Sequence, residues 1–112
     1  MSNEKQNFKI RFEEPSVAEA GDKAEGLRQD LLEGSPDVRA KIEQQDPSNQ
    51  DFGATLVLIL GAPAAVAVAK GIADYLRRVG GKITIEADGK IVATNISGDD
   101  LGKIESALSS RR

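Results

Sequence analysis

The patterned part of the chain opens on strict alternation: Phe8-Lys9-Ile10-Arg11-Phe12 places an apolar side chain at every second position. Successive side chains of a strand point to opposite faces, so the pattern predicts a half-buried strand. Phe8, Ile10 and Phe12 would face inward, with Lys9 and Arg11 in water. Pro15-Ser16 ends this strand and opens a helix, along which Val17, Ala20, Ala24, Leu27 and Leu31 recur at helical spacing. Glu19 and Asp22 lie toward the positive end of its dipole. Gly34 stands where a left-handed C-terminal cap is wanted, and Pro36 follows it. Val38, Ala40 and Ile42 then alternate with Arg39, Lys41 and Glu43, which predicts a short second strand, with a helical turn as the rival. The polar stretch 44–51 reads as a loop.

From Phe52 to Ala69 no charged residue occurs in 18 positions. Beyond it, Lys70, Asp74, Arg77 and Arg78 share one helical face by their spacing, while Ala65, Ala69, Ile72, Leu76 and Val79 share the other. The second half of this stretch therefore predicts an amphipathic helix that stops at Gly80-Gly81. The first half is apolar all round. It reads as the start of one long apolar helix, which Pro63, preceded by Gly61, kinks or splits into two. A helix of 18 residues would span about 27 Å, the lower limit for crossing a bilayer. Gly and Ala supply much of the run and Pro63 interrupts it, so burial in protein outranks insertion into lipid.

Lys82 to Ile96 has the form of a hairpin, with Asp88-Gly89 between two alternating segments as the mark of a type I′ turn. A two-residue loop pairs Ala87 with Lys90, Ile85 with Val92 and Ile83 with Thr94. Ile83, Ile85, Val92 and Ile96 then share a face. Ser97-Gly98-Asp99-Asp100 has capping-box spacing, and Leu101, Ile104 and Leu108 follow as the stripe of a short helix. The fold class implied is α+β, one domain over residues 8–108. A small sheet of about four strands would pack against one long kinked helix and two shorter ones. Residues 1–7 and 109–112 read as tails.

Composition narrows the chemistry. Hydrophobic residues are 39% and charged residues 29% of the 112, which fits one folded domain rather than a disordered chain. The sequence has no Cys and no His. Disulfides, thiolate and imidazole metal sites, Cys nucleophiles and His-based triads are thereby excluded. Residues 1–50 carry 7 basic and 11 acidic side chains and residues 51–112 carry 8 and 7, so neither half has the basic excess of a nucleic-acid binder. The polar start, Met1 to Asn7, shows no apolar signal core, so a cytoplasmic location is expected.

Candidate motifs resolve into ordinary roles. Eight residues separate Gly61 from Lys70, which breaks the phosphate-loop pattern. Glu13-Glu14 and Asp99-Asp100 are sequence neighbours, which point apart and form no shared-proton dyad. Solvation explains the first pair and helix capping the second. The spaced carboxylates of a calcium loop are missing, and the sequon at Asn95-Ile96-Ser97 has no meaning without a secretory signal. No cofactor or metal is expected.

Asp51-Phe52-Gly53, the apolar stretch, Gly61 through Arg78 and Lys82 through Gly89 together resemble the effector-associated constant component family. Asn95-Ile96, Asp99-Asp100-Leu101, Ile104 and Ala107-Leu108 fit the same pattern, so the likeness runs from Phe8 to Leu108. The resemblance implies a small bacterial protein encoded beside variable effectors and nucleotide-dependent regulators in conflict (immunity-type, antiviral) systems. Such a protein would act as a fixed adaptor, with no catalytic motif to transfer. Its partner would be a protein, the effector or the regulatory NTPase of the same system. The contact face expected along the long helix comprises Phe52, Gly61, Pro63, Lys70, Asp74 and Tyr75, with apolar contact supplying affinity and Lys70 and Asp74 setting orientation. Rival expectations are a membrane-active effector that inserts residues 52–69 and an enzyme working through carboxylates with Lys or Tyr. A homo-oligomer held by the apolar helix is a further one.

Overall fold

The alternation that opens the chain is realised as the middle strand of a five-stranded antiparallel sheet. A computed structural model describes residues 5–13, 16–34, 38–44 and 54–109. Its elements are β1 (Lys5–Phe12), α1 (Val17–Gly34), β2 (Arg39–Gln44), β3 (Ala54–Gly61), α2 (Ala62–Val79), β4 (Ile83–Ala87), β5 (Lys90–Ile96) and α3 (Leu101–Ser109). The strand order is β2-β3-β1-β4-β5. In β1–α1–β2 and in β3–α2–β4 the two strands flank a third, so the two crossover units interleave. This is the split β-α-β arrangement, extended at one edge by β5 with α3 packed beside it. The expected class, a single α+β domain with one sheet and packed helices, holds.

The inward residues of β1, Phe8, Ile10 and Phe12, join Leu56, Leu58 and Leu60 of β3 and Ile83 and Ile85 of β4 in one core. The helices cover that face of the sheet alone, because their buried side chains belong to the same cluster. β1 begins at Lys5, so residues 5–7 belong to a strand and not to a tail. The second strand forms as expected, with Ala40 and Ile42 packed on the core and Arg39, Lys41 and Glu43 exposed. Arg28 of α1 donates from Nε to the Ala40 carbonyl at 3.2 Å, which covers part of this edge strand. Gly34 is the last helical residue of α1 rather than a left-handed cap, whereas Gly80, at φ 79°, does end α2.

The uncharged run is not one kinked helix. It divides at Gly61 into β3 and α2. β3 is paired on both edges, to β1 and to β2. Leu56, Leu58 and Leu60 are at most 1% exposed on its inner face, and Thr55 and Val57 are buried on the other. A strand buried on both faces loses its period-two pattern and reads like a buried helix. Pro63 lies in the first turn of α2, where its missing N–H is no loss, so the helix starts there and is not bent.

The hairpin turn is type I′, with Asp88 at φ 56° and Gly89 at φ 79°, and Ala87 pairs with Lys90 as expected. Farther along, the register departs from the expected one. Ile85 opposes Ala93 and Ile83 opposes Ile96, because two bulges insert extra residues into β5. Val92 is thereby turned out of the core, 40% exposed, and Ile96 takes the inward place. Asn95 occupies the second bulge at φ 57°, a conformation Asn tolerates. The Glu13 carboxylate fixes it, accepting from the Asn95 backbone N–H at 3.0 Å and the Thr84 hydroxyl at 2.6 Å. Glu13 is therefore a structural ligand of the sheet, not merely a solvated charge.

α3 starts at Leu101, with the Asp100 carbonyl accepting from the Ile104 N–H, and the expected Ser97–Asp100 pair closes the turn before it, the Ser97 hydroxyl accepting from the Asp99 N–H at 3.3 Å. Within the pair, the Ser97 backbone N–H donates to Asp100 Oδ2 at 2.9 Å, and the Ser97 hydroxyl does so at 3.3 Å. The backbone bond holds the Asp100 carboxyl below its ordinary value. A carboxyl with a depressed folded pKa stabilises fully above the unfolded value of about 3.9, and that contribution is lost as pH falls through the lower folded value. Asp100→Asn keeps a good capping residue but removes the charge. In thermal melts, its Tm deficit should therefore be largest near neutrality and shrink as the pH drops below about 4.

Candidate functional site

α2 packs against α1, α3 and the sheet, so most of its surface is committed to the core. Ala65, Val68, Ala69, Ile72, Ala73, Tyr75 and Leu76 are buried. Arg78 and Val79, the latter expected on the inner face, are exposed in the last turn, and along the rest of the outer side runs a narrow stripe of Pro63, Val66, Ala67, Lys70, Asp74 and Arg77. Steps of three and four residues align these positions over about 21 Å of helix. Val66 is 58% exposed, at the centre of the apolar end. At the other end, Asp74 Oδ1 accepts from Arg77 Nη1 at 3.2 Å, an exposed pair that fixes little beyond local orientation.

The fold thus brings together three of the expected contact residues, Pro63, Lys70 and Asp74. Gly61 lies at the junction of β3 and α2, half-buried at the foot of the stripe. Phe52 lies outside the described residues. Tyr75 is not on the stripe at all. It is 6% exposed, its ring edge-on to Phe12 at 6.3 Å between centroids. Its hydroxyl rests against Gly26 of α1, where any Cβ would collide with it. The Arg78 guanidinium lies over the ring at 5.5 Å and also pairs with Asp30, joining α2 to α1. Burial pushes the Tyr75 phenol pKa up, Asp30 adds to the rise, and Arg78 partly opposes it. The phenol therefore stays neutral in the physiological range. Position 75 falls at the border of the apolar arc, and the space left by Gly26 decides that the ring turns inward.

Val66, Ala67 and Arg77 belong to the stripe but not to the expected set. Their signal is the three- and four-residue steps between Pro63, Lys70 and Asp74. An open groove of 570 Å³ between β5 and α3 is lined by Val92, Ala93, Ile96, Lys103, Ser106 and Ala107. It exists because the bulges turn Val92 outward, which periodicity does not reveal.

Several carboxylates have structural partners: Glu13 in the bulge, Asp100 at the cap, Glu25 with Arg28 at 3.0 Å, and Glu86 with Arg11 at 2.6 Å. Among the described residues no group of three or more acidic side chains could hold a metal ion, and no helix is long and apolar enough to cross a membrane. Comparison with family models, with curated proteins and with solved structures finds no match.

Proposed function

We propose that this chain is a non-enzymatic accessory protein that docks a partner protein on the outward stripe of α2. The reading agrees with its resemblance to effector-associated constant components of bacterial conflict systems. The observation that carries it is the stripe itself, with one apolar end and one polar end, on a helix whose opposite side is locked in the core. Pro63, Val66 and Ala67 supply the surface that loses water on contact, and Lys70, Asp74 and Arg77 supply the polar rim. Ala67, with Gly61 nearby, lets another backbone approach closely. Because α2 is held by α1, α3 and the sheet, binding costs little ordering of the receiving surface. The partner class is the effector or the regulatory NTPase of the same system.

The engaged carboxylates and the enclosed, neutral Tyr75 support a binding role over acid–base chemistry. Bilayer insertion of residues 52–69 would require β3 to leave both neighbours, giving up ladder hydrogen bonds on two edges and exposing Leu56, Leu58 and Leu60. Docking on α2 requires no such rearrangement.

Val66→Asp, and Lys70→Glu combined with Asp74→Lys, change only exposed positions. Their stability should stay within about 0.5 kcal/mol of wild type. In affinity capture from cells co-expressing the tagged chain with the products of adjacent genes, partner recovery should fall about tenfold or more. Undiminished capture by both variants would place the interface elsewhere.

A further inference from the structure

The sheet has a second face that none of the three helices covers, and its chemistry is unlike that of the helical side. Residues directly opposite on neighbouring strands share a face. One row therefore crosses all five strands: Lys41, Val57, Lys9, Glu86 and Ile91. Arg39 and Ile59 stand beside it on β2 and β3. Glu86 is bridged to Arg11 at 2.6 Å. Among the described residues, the exposed cations of the face are then Lys9, Arg39 and Lys41, set against Glu43 and, beyond the end of β1, Glu13. Val57 lies between Lys9 and Lys41, and Ile91 is 57% exposed at the edge.

On the far side of the molecule, α1 carries five carboxylates and two cations. Glu25 is paired with Arg28, and Asp30 with Arg78. Glu19, Asp22 and Glu33 are exposed along the helix beside the half-buried Lys23, with the partly exposed Leu32 next to Glu33. From Glu19 to Glu33 the helix rises about 21 Å. The row across five strands spans about 19 Å, at roughly 4.8 Å per step. Three exposed carboxylates along α1 thus oppose in sign a tighter cluster of three exposed cations, which lie on β2 and β1, two strand spacings or about 10 Å apart.

We propose that the open sheet face of one copy receives the outward face of α1 of a second copy. The two surfaces lie on opposite sides of the same domain, so the contact cannot close within one chain. It is head-to-tail, and leaves each joined pair with one free surface of each kind. Nucleic acid is a poorer occupant of the basic face. Phe8 and Phe12 both point inward and Tyr75 lies in the helical layer, so these rings offer bases no stacking platform there.

Sedimentation velocity over a concentration series tests this, first on the unaltered chain. At about 0.01 M salt, where charges act over about 30 Å, the weight-average mass should climb to about twofold the monomer or beyond. At about 1 M salt, where screening acts within about 3 Å, it should return to the monomer. Lys9→Glu with Lys41→Glu should abolish the rise, and so should Asp22→Lys with Glu33→Lys. Mixing the two variants should restore it, because the acidic sheet of one now faces the basic helix of the other. A wild-type chain that stays monomeric at low salt overturns the proposal. So does association that ignores both salt and reversal, and so does a monomeric chain whose basic face instead retains duplex DNA or anionic phosphatidylserine vesicles. The α2 stripe is untouched in both variants, so partner capture and self-association fail independently.

Discussion

Gly98→Ala should cost about 3 kcal/mol of folding free energy, near the upper end of overpacking effects. For a domain of this size that lowers Tm by about 12 °C. Gly98 sits in the turn between β5 and α3, buried against the last turns of α2. A Cβ there would stand 2.7 Å from Arg77 Cγ, 2.8 Å from the Arg77 nitrogen and 3.0 Å from the Ala73 carbonyl oxygen. The Arg77 side chain can swing aside, but the two backbone atoms belong to an intact helix and cannot. Nor can the turn retreat easily. The Asp100 N–H donates to the Ser97 carbonyl at 3.1 Å, and Asp100 in turn holds the Ser97 N–H. The strain is relieved only by lifting α3 from α2, which uncovers Ile104, Ala107 and Leu108. Gly102→Ala is the control, because a Cβ there meets nothing within 4 Å and lies inside a helix. It should stabilise by up to about 1 kcal/mol. Denaturant midpoints that move in opposite directions for the two variants would establish that the close approach, not the loss of a glycine, is responsible.

The elements that could be read from sequence are those with one wet face. β1 alternates because its outer residues meet solvent, α1 and the second half of α2 are amphipathic, and Asp88-Gly89 announces its own turn. β3 could not be read in this way. Its five consecutive residues from Leu56 to Leu60 are all aliphatic, because both edges are paired, the leucines lie in the core, and Val57 on the other face is buried between Lys9 and Lys41. Composition then carries no period to separate strand from helix, and the uncharged start of α2 ran on into it without a break. Pro63 was the available clue. A proline that opens a helix and one that kinks it look alike until the helix start is known.

The site was legible to about the same degree and for the same reason. Lys70 and Asp74 announce an exposed arc, and Pro63 extends it. Tyr75 was misplaced because one residue of angular error moves a side chain from the rim of a helix to its core, and the deciding contact, Gly26, lies 49 positions away. The outward turn of Val92 depends on two bulges held partly by Glu13, a contact across 82 residues. Long-range contacts of this kind leave no local period in the chain. The basic sheet face was visible only as scattered charges, since Lys9, Arg39 and Lys41 become neighbours through pairing with β3 and not through spacing.

The pairing of β3 with β1 has the largest energetic consequence. Leu58 is 0% exposed at the middle of β3, and its register partner on β1 is Phe8, at 1%. Leu58→Ala should cost about 3 to 4 kcal/mol, through lost burial and the cavity left behind. Domains of this kind have only about 5 to 15 kcal/mol in total, so the variant approaches the limit of folding. Phe8→Leu is the gentler partner change, at about 1 kcal/mol, and keeps a double variant measurable. Because the two side chains meet across the strands, the combined loss should fall short of the sum of the separate losses by at least about 0.5 kcal/mol. Ile91→Ala, on the exposed face of β5, should by contrast stay within about 0.5 kcal/mol of wild type. If residues 54–61 were the first half of a helix, Leu58 would have no fixed partner on β1. Strictly additive losses in urea melts would then remove β3 from the sheet, and with it the basic face that its pairing assembles.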